Sequence, residues 1–354
     1  MKGLVLSGGR GTRLRPITHT RAKQLIPVAN KPVLFYGLEA LAQAGIKKVG
    51  IVVGDTREEV MNAVGNGGKF GLKVEYIHQP EPLGLAHAVL ISRDFLKNEP
   101  FVMYLGDNLV KSGIKKFVDQ FKKEKPNSQI LLARVKNPQQ FGVAELKGNR
   151  VVRLLEKPKK PKTNLALVGV YIFDSHIHQA VREIKPSFRG ELEITDAIQW
   201  LIDRGLEVNY QVIDGWWKDT GKVEDLLEAN RMLLDDIEEQ IEGEVDKKSR
   251  IEFRVIIEKG AHLKASVIRG PAIIGSGTVI ENSYIGPFTS IAENCLIQGA
   301  EIEHSIIMAE SRIENPPKRL SDCLIGRNAV IKCSQKKPEA LRLIIGDSSE
   351  VDLI

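Results

Sequence analysis

Cysteine is scarce in this chain of 354 residues: three in all, Cys295, Cys323 and Cys333, every one in the last quarter. No CxxC spacing joins them, which argues against a thiolate metal site. An odd, sparse set suggests a reducing compartment, with thiols packed as small hydrophobes. No apolar run approaches the roughly 18 residues of a membrane-spanning helix. No signal-peptide pattern is present either, so the cytoplasm is the expected location and no membrane partner is expected. Single-sign charge is missing as well. The net charge of +6 is spread without a block of five or six like charges. The densest basic patches, at 122–125 and 157–162, read as a solvated helix face and mainly as a loop, so no nucleic-acid footprint is expected. Two common phosphate fingerprints are absent too. There is no G-x-x-x-x-G-K-[ST], and Gly9-Arg10-Gly11 lacks the third glycine of the dinucleotide turn.

What is present points to anionic ligands. A hydrophobic share of 42% and a charged share of 27% are ordinary for a globular protein. The length suits about two domains. The richest stretch is 4–32, LVLSGGRGTRLRPITHTRAKQLIPVANKP. Leu4, Val5 and Leu6 read as a buried parallel strand that breaks into Ser7-Gly8-Gly9-Arg10-Gly11-Thr12-Arg13. Glycines let the backbone take positive φ and bring successive N–H groups close to a ligand, an anion nest. Arg13 adds a planar, permanently charged fork for phosphate oxygens, and Lys23 a compact ammonium. A lone glycine turn is weak evidence; strand, turn and two cations together point to phosphate chemistry.

Further along, Pro32 and Gly45 bracket a helix, with Val33, Leu34, Leu38, Leu41 and Ala42 at helical spacing. A strand is expected at 49–53, and Thr56-x-x-Glu59 reads as a capping box opening the next helix. Further strands at 74–77, 101–105 and 130–135 alternate with helical segments, which argues for a parallel, doubly wound sheet. Ligands bind past the carboxyl ends of such strands, a rule that gathers residues 7–13, Gln79 and Asp107 on one edge. Segments 141–145 and 151–156, separated by Gly148-Asn149, read as an antiparallel hairpin. Trp216-Trp217-Lys218-Asp219-Thr220-Gly221 carries another acid, and the acidic stretch to Asp246 reads as a helical linker. Beyond residue 250 aliphatics recur every five or six residues, at 257, 263, 268, 274, 280, 285, 291, 297, 302, 307 and 313. That is the period of a hexapeptide-repeat solenoid, a left-handed parallel β-helix. A loop is expected at 314–322, with the repeat resuming at 325–330 and at Ile345-Gly346-Asp347.

The string GG-x-GTRL-x-P-x-T … K-x-L-x-PV-x-x-KP resembles the signature of the sugar nucleotidylyltransferases, with every position filled. The resemblance covers essentially the whole chain and is strongest over 1–235. Within the family the chain is most similar to the long members that act on dTTP and glucose 1-phosphate. It implies an α/β fold, a Rossmann-like doubly wound mixed sheet of the nucleotidyltransferase type, plus the C-terminal left-handed parallel β-helix. The implied domains are a catalytic domain at 1–236, a linker at 237–250 and the solenoid at 251–354. Leu6, Gly8, Gly9, Gly11, Thr12, Arg13, Gln79, Gly84 and Asp107 would then bind the nucleotide, with Gln79 reading the base. Gly142, Glu156, Lys157, Leu167 and Tyr171 would hold the sugar phosphate. Arg13, Lys23 and Lys157 would be the catalytic cations, and Asp107 and Asp219 would hold Mg2+. Family members often carry tyrosine where this chain has Phe141, so that hydroxyl is missing here.

The implied reaction is attack of a sugar 1-phosphate on the α-phosphorus of dTTP, giving dTDP-glucose and pyrophosphate. UTP is the close alternative, since a methyl in an apolar slot discriminates by only about 1–3 kcal/mol. Two other classes compete. A non-catalytic, nucleotide-sugar-binding regulatory subunit should have lost a charged site position, yet Arg13, Lys23, Asp107, Lys157 and Asp219 all stand. An acyltransferase, which such solenoids often host, would use a histidine base, and the solenoid offers only His262 and His304, neither in a recognised motif. The solenoid is expected to assemble or regulate a homo-oligomer, since its flat face and open ends invite covering.

Overall fold

Leu4, Val5 and Leu6 lie in the strand Lys2–Ser7, whose six residues are all buried. Burial on both faces marks a strand covered by helices on either side. In this computed structural model, which describes residues 1–333, 348, 349 and 351, the chain divides into two units. The first comprises Met1–Gly11, Arg21–Leu25 and Val33–Asp219; the second comprises Thr12–Thr20, Ile26–Pro32 and Thr220–Ile354. The repeat expected at Ile345-Gly346-Asp347 and the stretch 334–339 lie outside the described residues.

In the first unit Lys2–Ser7 runs parallel to Lys48–Val53 on one side and Phe101–Leu105 on the other. Lys48–Val53 is followed outward by Lys73–His78, also parallel. Helices Val33–Gln43, Arg57–Val64 and Leu85–Ile91 make the crossovers. The first starts directly after Pro32, buries Val33, Leu34, Leu38 and Leu41, and stops short of Gly45 at φ +79. Antiparallel strands complete the sheet. Leu165–Phe173, buried throughout, pairs with Phe101–Leu105 through residues 170–173 and meets the strand Gly142–Lys147 at Ala166. Its other edge carries Ser128–Arg134, which pairs in turn with Val208–Val212. Gly142–Lys147 and Arg150–Glu156 form the hairpin read from the sequence, turning at Gly148 with φ +59. The result is one nine-stranded mixed sheet.

Two local readings need correction. Thr56 makes no side-chain cap, and Glu59 accepts the backbone N–H of Ala22 at 2.6 Å instead of closing a capping box. A donor from the signature loop competes successfully for that carboxylate. The string 190–196, which the family resemblance implies as the start and cap of the helix through Leu201, supplies no side-chain cap: Glu193, at the start of helix Ile194–Asp203, instead accepts from the Ser187 hydroxyl at 2.9 Å and faces Arg189.

His178 gives this unit a pH signature. It is buried on helix Ile177–Glu183 and stacked on Phe101. Burial, then the nearby Arg93 charge, push its pKa down to about 4. The unfolded chain therefore binds this proton first as pH falls, and stability is lost between about pH 6.5 and 4. His178→Phe should show a smaller drop in melting temperature from pH 7 to pH 5 than the parent chain. Equal drops in the two proteins would remove the imidazole from the explanation.

In the second unit all eleven periodic aliphatics point inward, each at most 1% exposed. Val255 lies beneath Ala272 and Ala272 beneath Thr289, seventeen residues on each time, and three parallel sheets stack this way. This is the parallel β-helix read from the repeat. Residues 315–319 loop out between Arg312–Glu314 and Leu320–Ser321, and the register then resumes. The stretch before the solenoid is not helical. Gln240–Ile241 and Glu244–Val245 are strands that pair with Val255–Ile257 and His262–Lys264, because the first coil offers free strand edges there. His262 is engaged by Glu244 at 2.9 Å and His304 packs on the ring of Phe288.

This unit also holds part of the signature. Asn230, buried on helix Val223–Leu234, accepts the backbone N–H of Ala29 and the hydroxyl of Ser290, both at 2.8 Å. Its Nδ2 donates to the Phe288 carbonyl at 3.0 Å, and Asn30 donates to the Ile291 carbonyl at 2.7 Å. Signature residues 29 and 30, both at positive φ, are thus fastened to solenoid coils.

Candidate active site

The parallel strands of the first unit end at Ser7, Val53, His78 and Leu105, and Gly8, Gly9, Gln79 and Asp107 follow directly after three of those ends. Leu6 is buried, and its carbonyl accepts the N–H of Gly106 at 2.9 Å. Gly8 and Gly9 lie against two other candidate side chains. A Cβ on Gly8 would stand 3.1 Å from Gln79 Oε1, and one on Gly9 would stand 3.3 Å from Lys23 Cε. Gly11 takes φ +63. Thr12 and Arg13, both exposed, belong to the second unit, on the short helical turn Thr12–Leu14.

Gln79 is buried, and its backbone N–H donates to Val53 at 2.8 Å. Gly84 sits at φ +105, where a Cβ would stand 2.4 Å from the Leu192 carbonyl oxygen. The room left by this glycine is filled by the chain itself: Leu192 N–H donates to Leu83 and Ala86 N–H to Leu192. The loop that carries Gln79 is thereby tied to residue 192.

Lys23 forms an ion pair with Asp107. Burial opposes charge on Asp107, but the Lys23 ammonium and hydrogen bonds from Lys23 and Asn108 outweigh it and hold the carboxyl below its ordinary value. Asn108 organises this corner. Its Nδ2 donates to Asp107 Oδ1 at 2.9 Å, and its Oδ1 accepts the indole N–H of Trp217 at 2.5 Å. Its backbone pairs with Asp219 in the two-stranded ladder of Asn108–Val110 and Trp217–Asp219. Opposed residues in such a ladder have Cα atoms about 4.5–5.5 Å apart, so Asp219 stands beside Asp107 although 112 positions separate them in sequence (219 − 107).

Two carboxylates on adjoining backbones are a hard-oxygen donor set that suits Mg2+. Among the described residues no group of three or more histidine, cysteine, aspartate or glutamate side chains gathers around one point. A pair of acids fits magnesium, which takes one or two carboxylates and completes its shell with phosphate and water.

The candidate sugar residues form a second cluster. Gly142 is pressed from three sides: a Cβ would stand 2.6 Å from Leu167, 2.8 Å from Thr195 and 3.3 Å from Glu156. Glu156 accepts from the Thr195 hydroxyl at 3.3 Å. Burial and the neighbouring Glu193 raise its pKa, against the pull of Lys157, Arg189 and Thr195. Lys157 takes φ +39 just after the strand Arg150–Glu156, donates its N–H to Phe141, and brings Nζ to 3.9 Å from Glu156. Tyr171 is buried and stacked on Phe173, and burial together with the Glu156 charge raises its phenol pKa. The two clusters adjoin. Gly169, on the strand of Leu167 and Tyr171, abuts Leu105 and Asn108, and Phe141 packs edge-on against Trp217 with ring centres 5.1 Å apart.

Four residues in these clusters carried no role in the sequence reading. Asn108 stands in the Leu105-Gly106-Asp107-Asn108 string, but its two-sided bonding appears only once Trp217 is placed. Arg189 faces Glu156 at 3.5 Å, Glu193 at 3.4 Å and Glu191 at 2.8 Å. The string read as a helix start, 190–196, begins one residue after it. Thr195 lies inside that string as an apparent helix residue. His87, with Nδ1 3.0 Å from Gln79 Nε2, looked like one more position of a helix.

The chain matches known proteins over its whole length. A family model described as Nucleotidyl transferase matches residues 2–236. Glucose-1-phosphate thymidylyltransferase from Streptomyces antibioticus is 57% identical, covering 100% of this chain and 99% of that protein. The Streptomyces griseus protein of the same name is 54% identical with the same coverage. A solved structure from Bacillus anthracis, named for glucose-1-phosphate thymidylyltransferase and complexed with sucrose, superposes with a TM-score of 0.63 at 37% identity. It covers 68% of this chain and 98% of its own.

Proposed function

This chain belongs to the nucleotidyl transferase family, and we propose that it transfers a thymidylyl group from dTTP to glucose 1-phosphate, releasing pyrophosphate and dTDP-glucose. The observation that carries the reading is the Lys23–Asp107 ion pair, with Asp219 on the strand paired to the residue after Asp107, in a chain that matches named thymidylyltransferases from end to end.

A phosphate oxygen of glucose 1-phosphate attacks the α-phosphorus, and pyrophosphate leaves in line. Both substrates are anions, so catalysis reduces to alignment and charge neutralisation, without a protein nucleophile. Glycines 8, 9 and 11 let the backbone approach the triphosphate. Arg13 balances the charge of the leaving pyrophosphate, and Lys23 that of the α-phosphate. Lys157 holds the attacking phosphate, with Arg189 as a second cation on that side. Glu156 and Thr195 take sugar hydroxyls above the floor made by Gly142, Leu167 and Tyr171. Gln79 and the loop ending at Gly84 receive the base. Asp107 and Asp219 would hold Mg2+, which members of this family generally need and which, when bound, supplies charge neutralisation across the phosphates. Asn108 keeps the two acids side by side. The same reading puts the chain in the cytoplasm, as a homo-oligomer.

An acyltransferase reading has less support, since His262 and His304 are both engaged in structural contacts. A panel of five nucleoside triphosphates against glucose 1-phosphate, followed by pyrophosphate release, tests the assignment. dTTP should give the highest kcat/KM with UTP next, separated by about 1–3 kcal/mol. A flat response across the panel, or no pyrophosphate with any triphosphate, would overturn it.

A further inference from the structure

We propose that His87 fixes which way round the amide of Gln79 stands, and so selects pyrimidines that carry an N–H at ring position 3. This rests on the assignment of Gln79 as the base reader. Nε2 of Gln79 lies 3.4 Å from the carbonyl oxygen of Gly84 and 3.0 Å from Nδ1 of His87. A carbonyl only accepts, so the group facing Gly84 is the NH2 end of the amide. That same NH2 faces His87, whose Nδ1 is therefore the accepting nitrogen, with the ring proton on Nε2. Burial lowers the His87 pKa below the ordinary histidine value, with Glu81 pulling weakly the other way, and this keeps the ring neutral and accepting at neutral pH.

Both N–H groups of the amide are then spent, and Gln79 has only Oε1 left to offer. Oε1 lies over the glycine turn, 3.1 Å from where a Cβ on Gly8 would stand. An acceptor in that place pairs with the N3–H of thymine or uracil. Against cytosine it meets the lone pair of N3, leaving two buried acceptors opposed, an arrangement that binding sites reject strongly. Take His87 away and the longer contact to Gly84 alone resists rotation of the amide. A rotated amide presents N–H to cytosine. His87 touches no substrate in this scheme; it is a positioning residue.

The test is the ratio of kcat/KM for dTTP over dCTP, with glucose 1-phosphate, in the full-length chain. His87→Phe and His87→Ala should each lower the ratio about tenfold, the scale of one well-placed hydrogen bond. The change should fall on the KM for dTTP rather than on kcat. His87→Asn puts Oδ1 near the place of Nδ1 and should restore the ratio. Gln79→Ala separates the two layers of the argument. If it collapses the ratio while the His87 variants leave it intact, the role of His87 is overturned and base reading by Gln79 stands. If neither changes the ratio, both are overturned. Equal losses for dTTP and dCTP in the His87 variants would show a merely structural residue and overturn the proposal as well.

Discussion

Asp107→Asn and Asp219→Asn should each lower turnover by at least roughly 10²-fold, the scale for losing one preorganised electrostatic stabiliser. Either change keeps shape and removes one negative charge. At Asp107 the loss strips the ion-pair partner from Lys23 as well as one arm of the acidic pair. At Asp219 it strips the other arm, on the neighbouring strand. The two losses should not add, because both dismantle one constellation and residues in a shared network couple. Turnover measured at saturating Mg2+ for both single variants and the double variant decides this. Near-normal turnover in either single variant, or losses that multiply in the double, would break the pairing of the two acids.

The second large effect is expected at Gly84. Gly84→Ala asks an L-residue to adopt φ +105, outside the regions such residues occupy, with its Cβ 2.4 Å from a backbone oxygen. Backbone strain of this kind costs about 1–3 kcal/mol before the clash is counted. Neither Leu192 nor Gly84 can yield freely, since backbone hydrogen bonds join residues 83 and 86 to residue 192. The loop should therefore leave its seat and take the Gly84 carbonyl away from Gln79. The expected result is a melting temperature lowered by several degrees and a KM for the triphosphate raised at least about tenfold. Gly45→Ala, at φ +79 with nothing within 4 Å of its added Cβ, serves as a comparison for left-handed strain alone. A Gly84→Ala protein with parental melting and parental KM would show that this tie is not what seats the loop.

Much of this was legible in residue order because the underlying physics is periodic. Eleven aliphatics at a spacing of five or six can share one core only if the chain coils, and all eleven are buried. Leu4-Val5-Leu6 followed by glycines is a strand that must turn, and Pro32 with Gly45 bounds a helix. The parts that were not legible depend on pairing across long separations. Asp107 and Asp219 become neighbours only through the ladder that aligns Asn108 with Asp219. Arg189 meets Glu156, 33 positions away, because one ends a hairpin strand and the other lies on the loop before helix Ile194–Asp203. Glu59 looked like half of a capping box because Ala22, its true donor, is invisible as a neighbour until the fold is formed. The acidic stretch before the solenoid has a helical composition, yet it pairs as strands, since unpaired edges of a β-helix outweigh local propensity.

Direct nucleotidyl transfer is the centre of this account, and dTTP labelled at the α-phosphorus tests it in one reaction. Incubated with glucose 1-phosphate, Mg2+ and the intact chain, all the label that leaves dTTP should appear in dTDP-glucose, with one pyrophosphate formed for each labelled product. No label should remain on the protein after denaturation. Label held covalently by the chain, pyrophosphate formed without glucose 1-phosphate, or dTTP left unconsumed would each contradict a single displacement carried out by Lys23, Asp107, Lys157 and Asp219.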